Sequence, residues 1–168
     1  MKNIILIGMP CAGKSTVGVL LAKTVLFNFI DTDLIIQRQY GNSLCEIIEL
    51  NGIDGFLRIE SAAIRSLEYK NCVISTGGSA VYSDDAMVYL CKCGTVVYLS
   101  VPVHELELRM GDIKTRGVVT KGGTTVAELY RERVPLYKKY ADLTVECANK
   151  TPERCVEAIV SAVRANII

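Results

Sequence analysis

Five short runs rich in β-branched and other apolar residues recur along the chain: Asn3–Ile7, Phe27–Asp31, Cys72–Thr76, Thr95–Ser100 and Leu143–Cys147. Most are apolar at consecutive positions, the pattern of strands covered on both faces, because a strand with one wet face would alternate. Between them apolar residues return at helical spacing. Leu44, Ile47 and Ile48 mark one helix and Phe56, Ile59 and Ala63 another; Leu106 with Met110, Val126 with Leu129 and Tyr130, and Val156 with Ile159, Val160 and Val163 mark three more. Strand followed by helix, repeated in this way, predicts an α/β fold: a five-stranded parallel sheet flanked by helices on both faces, with ligands gathered beyond the carboxyl ends of the strands.

With 168 residues, 50% of them hydrophobic, the chain supports one core, so residues 1–168 are expected to form a single domain and act as a monomer. Nineteen basic residues against 18 acidic ones give a net charge of +1, so no overall field draws the chain to nucleic acid or to anionic lipid. The apolar run at the start breaks at Gly8, too early for a secretion signal or a membrane span, which predicts a cytoplasmic protein. Seven scattered cysteines fit reduced thiols better than a disulfide framework. Cys91 and Cys93 have no second cysteine pair at ligand spacing, and His104 is the only histidine, so no zinc site is expected.

Behind the first run stands Gly8-Met9-Pro10-Cys11-Ala12-Gly13-Lys14-Ser15, which fits G-x-x-x-x-G-K-[ST] without a gap. Glycines let such a loop curl until successive amides aim at phosphate oxygens, and the helix that follows adds its positive end. The motif predicts a P-loop NTPase type of fold that holds ATP with Gly8, Cys11, Ala12, Gly13, Lys14, Ser15 and Thr16. Lys14 is expected to reach the β and γ phosphates and Ser15 to ligate Mg²⁺. The glycine-rich segment 111–123 interrupts the strand and helix pattern and reads as a mobile lid.

Asp31-Thr32-Asp33 closes the second run, where this kind of sheet delivers side chains to the phosphate cleft. If the segment is extended, both carboxylates face the same way, Asp31 toward the metal and Asp33 toward an attacking hydroxyl. Asp33 would equally serve as the N-cap of a following helix. Arg58 and Arg133 fall on predicted helices with Glu60 and Glu132 nearby, so each taken alone reads as half of a surface ion pair. Gly77-Gly78 permits a close backbone approach or simply a turn.

The phosphate loop, "DTD", "FLRIE", "STGGSAV" and "ERVPLY", in this order and at these separations, resemble the shikimate kinase family over nearly the whole chain. The resemblance implies a nucleoside-monophosphate-kinase-like sheet and transfer of a phosphoryl group from ATP to the 3-hydroxyl of shikimate, a step toward the aromatic amino acids. It implies that Asp33, Arg58, Gly77, Gly78 and Arg133 hold the acceptor, the arginines by its carboxylate. Lys14, Asp33 and Arg116 become the catalytic set, with Arg116 closing over the phosphate from the lid. Arg109 and Lys150 fall near where the family packs adenine. Two departures stand beside the acceptor: Gly117 follows Arg116 where the family has proline, and Ser79 takes the place of a third glycine. Alternatives are a related kinase acting on gluconate or homoserine, and a nucleotide-binding module without transfer.

Overall fold

The computed structural model describes residues 2–110, 118–120 and 124–165. In chain order they form β1 (Asn3–Ile7), α1 (Lys14–Val25), β2 (Asn28–Asp31), α2 (Thr32–Tyr40), α3 (Leu44–Arg65) and β3 (Cys72–Ser75), then a 3₁₀ turn at Ala80–Tyr82. After the turn come α4 (Asp84–Cys93), β4 (Gly94–Ser100), α5 (Val103–Met110), α6 (Val126–Tyr140), β5 (Leu143–Glu146) and α7 (Pro152–Ala165). The sheet order is β2-β3-β1-β4-β5, and every pairing is parallel. All five predicted strands are present, each within a residue of its expected limits.

Every residue of β1 is buried, as its continuous apolar run demands: β3 and β4 pair with it edge to edge and helices cover both faces. The main core gathers β1, β3 and β4 with the inner faces of α1, α4, α6 and α7. A separate small cluster, Ile36, Ile47, Phe56, Ala63 and Val119, lies between α2, α3 and the 118–120 segment. The chain runs from β1 out to β2, back to β3 beside β1, and then to β4 on the other side. The carboxyl end of β1 is therefore the switch point where this topology opens a crevice.

Three local features differ from expectation. The two helices predicted between residues 44 and 63 form one element, broken only at Gly52, whose φ of 68° and ψ of 173° no helix contains. Glycine carries that break at no steric cost. Asp33 is not the N-cap of α2; Asp31 is, accepting from the Asp33 backbone N–H at 3.0 Å. Asp31 ends β2 and Asp33 sits in the first turn of α2, so helical curvature, and not strand alternation, brings Asp33 round to the cleft. Helix α4 was not predicted; its buried residues Ala86, Met87 and Leu90 make only a short stripe. Cys91 and Cys93 lie on its last turn, and among the described residues no group of His, Cys, Asp or Glu is placed to hold a metal ion. None of the described helices is long and apolar enough to cross a membrane.

Candidate active site

Helices α2, α3, α4 and α6 each begin with a side chain that caps a backbone N–H, from Asp31, Ser43, Ser83 and Thr125. Helix α1 does not: its N-cap is Gly13, left-handed at φ 93°. Its first N–H groups thus stay available to an external anion, which the macrodipole also favours. The loop before it turns through Gly8 at φ 148° and Cys11 at φ 61°. A Cβ on Gly8 would approach Leu99 O to 2.9 Å, so only glycine fits there.

A cavity of about 550 Å³ opens at this point. Cys11, Gly13, Lys14, Ser15 and Thr16 line its phosphate side. Gly8 and Ala12 do not line it; Ala12 N donates to Met9 O at 3.1 Å, a bond that shapes the loop. The Lys14 ammonium donates to Gly8 O at 2.9 Å and to Met9 O at 2.8 Å. Burial lowers its pKa to about 8, opposed chiefly by the negative charge of Asp33.

Ser15 Oγ donates to Asp31 Oδ2 at 2.6 Å and lies 3.4 Å from Ser75 Oγ. Hydroxyl and carboxylate oxygens converging beside a phosphate loop are the hard donors that Mg²⁺ takes, with water completing its shell. The residues present fit the ion. Ser75, at the end of β3, was not singled out from the sequence, where a serine inside an apolar run carries no signal.

On the far wall of the same cavity stand Asp33, Gly77, Gly78, Ser79 and Arg133. Burial, reinforced by Asp31 and opposed by Lys14, pushes the Asp33 carboxyl up to about 6. Arg133 is not the surface ion pair its neighbours suggested, for it is 1% exposed. Its Nε donates to Tyr82 Oη at 3.0 Å and its Nη2 to Val119 O at 2.5 Å, and the guanidinium lies over the Tyr82 ring, 5.0 Å from its centre. These contacts fix the fork before any ligand arrives. Glu132 accepts instead from Tyr82 Oη at 2.6 Å. A Cβ on Gly78 would come within 3.0 Å of Arg133 Nη1 and 2.9 Å of Pro10 Cδ, so the two halves of the site meet at this glycine. Tyr137, fully buried and stacked on Tyr98, donates to Gly78 O at 2.7 Å. That bond sets the orientation of the peptide, a role helical spacing alone did not disclose.

Arg58 is the correction. It is exposed on α3 and does not line the cavity. The residues of that helix that turn inward are Phe56 and Glu60, 2% and 1% exposed, one helical turn apart; Arg58, between them, points away. Glu60 consequently makes no pair with Arg58 and accepts from Ser79 Oγ at 2.7 Å.

Arg109 lines the cavity and pairs with Glu105 at 2.8 Å. Glu105 in turn accepts from Asn149 N at 3.0 Å, which ties α5 to the loop after β5 where adenine was expected. Lys150 donates to Glu146 O at 2.5 Å and does not line the cavity. Arg116 and the predicted lid lie outside the described residues, except for 118–120, of which Val118 and Val119 line the cavity.

The shikimate kinase family model matches residues 10–164. A shikimate kinase of Caldanaerobacter subterraneus subsp. tengcongensis is 37% identical over 165 residues, 96% of each chain. Among solved structures, shikimate kinase from Acinetobacter baumannii in complex with shikimate is similar at a TM-score of 0.92 and 31% identity, covering 99% of this chain and 94% of that one. Shikimate kinase from Aquifex aeolicus gives a TM-score of 0.87 at 34% identity, over 99% and 98%. A phosphate loop and a buried, prealigned arginine facing each other across one crevice, in a chain matched over nearly its whole length, place this protein in the shikimate kinase family, as an ATP-dependent kinase.

Proposed function

We propose that this kinase transfers the γ-phosphoryl group of ATP to the 3-hydroxyl of shikimate. The observation that carries the reading is the shared cavity: Lys14 and Ser15 line one side, Asp33 and Arg133 the other, and both sides meet at Gly78. Lys14 exchanges its two loop carbonyls for the β and γ phosphates, and the uncapped start of α1 receives the remaining phosphate oxygens. Ser15 and Asp31 would hold Mg²⁺, which supplies positive charge to the phosphate oxygens. Arg133 takes the acceptor carboxylate through its prealigned fork, a geometry a lysine would not reproduce. Arg116 is the residue proposed to meet the charge of the transferring group.

Asp33 orients the acceptor hydroxyl in line with the γ phosphorus and receives its proton as the new O–P bond forms and the bond to ADP breaks. At about 6, its pKa leaves it ionised at neutral pH and still basic enough to accept. The transition state is loose, so most of the rate comes from positioning and charge stabilisation.

A second reading, a kinase for another hydroxy acid, draws on the exposure of Arg58, which leaves Arg133 as the acceptor-side arginine among the described residues. A coupled ADP-release assay with shikimate, gluconate, homoserine and nucleoside monophosphates separates the two. Turnover with shikimate alone is expected; turnover with another acceptor in its place would overturn the first reading, and no acceptor-dependent turnover would overturn both.

A further inference from the structure

Glu60 plays no part in the chemistry above, yet its surroundings are unlike those of any other described carboxyl group. It lies on α3, 1% exposed, behind the cavity wall formed by Gly77 and Ser79. Its Oε2 accepts from Ser79 Oγ, while Oε1 is the one buried side-chain oxygen among the described residues without a hydrogen-bond partner. Leaving a buried carboxylate oxygen unpaired is unfavourable, so what Oε1 faces matters.

It faces Asp33. A Cβ placed on Gly77 would lie 2.2 Å from Glu60 Oε1 and 2.8 Å from Asp33 Oδ1, so the two oxygens flank one point. The missing side chain at Gly77 is what lets them approach. When both groups are ionised each oxygen is only an acceptor, and the two repel. One proton converts it into a charge-assisted O–H···O⁻ hydrogen bond.

We infer that Glu60 carries this proton on Oε1 and donates it toward Asp33 Oδ1, directly or through one water, which makes Glu60 a positioning residue for Asp33. The inference rests on the reading of Asp33 as the group that meets the acceptor hydroxyl. Oε2 is already committed as an acceptor to Ser79, which leaves Oε1 as the atom to bear the proton.

The charges facing Glu60 agree with this assignment. Burial first, and then Asp33 on α2, push its carboxyl up to about 7, against the Ser79 hydrogen bond, Arg133 on α6 and Lys14 on α1. Glu60, 1% exposed and with one oxygen unpaired, is the more deeply enclosed of the two, for Asp33 is only partly buried, so Glu60 is the member that holds the proton. As pH rises through neutrality Glu60 loses the proton, Asp33 loses its anchor, and a second negative charge appears behind the acceptor site.

Glutamine imitates the protonated form, with its amide toward Asp33 and its oxygen toward Ser79. Glu60→Gln is therefore expected to keep kcat within about threefold of the parent near pH 6.5 and to lose the basic limb near 7 from the kcat/KM profile, retaining the acid limb. Glu60→Met, of similar volume without a donor, should lower kcat about tenfold or more while leaving the nucleotide KM unchanged.

A measurement independent of turnover uses ¹³C NMR of the side-chain carboxyls in the whole protein, with Glu60 assigned by its disappearance in Glu60→Gln. A midpoint near 7 that falls in Asp33→Asn is expected. A midpoint below 5, a midpoint indifferent to Asp33→Asn, or a Glu60→Gln enzyme as impaired as Glu60→Met would overturn the inference. The expected titration, near 7 and sensitive to Asp33→Asn, in a protein that does not phosphorylate shikimate would instead refute the proposed reaction and leave the carboxyl pair standing.

Discussion

A single stretch, Gly8 to Ser15, supplies the turn, the uncapped helix start and the lysine of the phosphate side. The acceptor side takes Asp33 from the start of α2, Gly77 to Ser79 from the loop after β3, and Arg133 from α6, with Glu60 of α3 behind that wall. The first is a local object whose geometry follows from glycines and from its place after a central strand. The second exists only after the helices dock, and each contribution depends on how far a helix is rotated when it does. A half-turn separates a ligand from a solvent-facing side chain, so this side can change its chemistry through single residues while the other cannot.

The largest expected effect lies on the local side. Lys14→Met should reduce kcat about 10³-fold, since the ammonium serves the phosphates as their charge develops; steady-state kinetics at saturating acceptor measure it. A smaller loss would mean that charge on this side is shared more widely than the loop suggests. Asp33→Asn should cost roughly 10²-fold in kcat at saturating acceptor, because a loose transition state asks more of its orientation than of its basicity. Near-normal turnover would remove Asp33 from the site.

Arg133→Met should raise the acceptor KM about 30-fold, the order of a charge-assisted hydrogen bond, with less change in the nucleotide KM. A change confined to the nucleotide would exchange the two sides as assigned. Glu60→Gln should leave the melting temperature unchanged at pH 5 and raise it by several degrees at pH 8. The sign follows from a carboxyl raised from 4.5 to about 7 on folding: the native state holds the proton more firmly, so the parent loses stability as pH climbs across that interval. Smallest of all, Arg58→Ala should leave both Michaelis constants within about twofold, as befits an exposed side chain; a marked loss of acceptor binding would return Arg58 to the site.

What the sequence disclosed follows the same division. Continuous apolar runs marked all five strands, because burial on both faces leaves no other pattern. The loop from Gly8 to Ser15 announced its ligand because residue types and spacing within it are the geometry. Arg58 misled because "FLRIE" holds an arginine and a glutamate two positions apart, about 200° around a helix, and the run alone does not say which of the two faces inward. Packing decided it: Phe56 joined the small cluster with Ile36 and Ile47, and Glu60, one turn on, followed it into the interior. Tyr137 and Ser75 were hidden for a related reason, since each reads as ordinary core until a partner from another element meets it.

The Lys14 ammonium, bound to two carbonyls of its own loop and holding its proton only to about pH 8, ties nucleotide capture to the hydrogen-ion balance of the medium. Trading neutral dipoles for the full charge of a triphosphate tightens the amine's hold on its proton, so in alkaline solution the enzyme draws a hydrogen ion from the buffer as it loads. Calorimetric heats should then vary with the ionisation enthalpy of whichever buffer is chosen, and that dependence should fade toward acid.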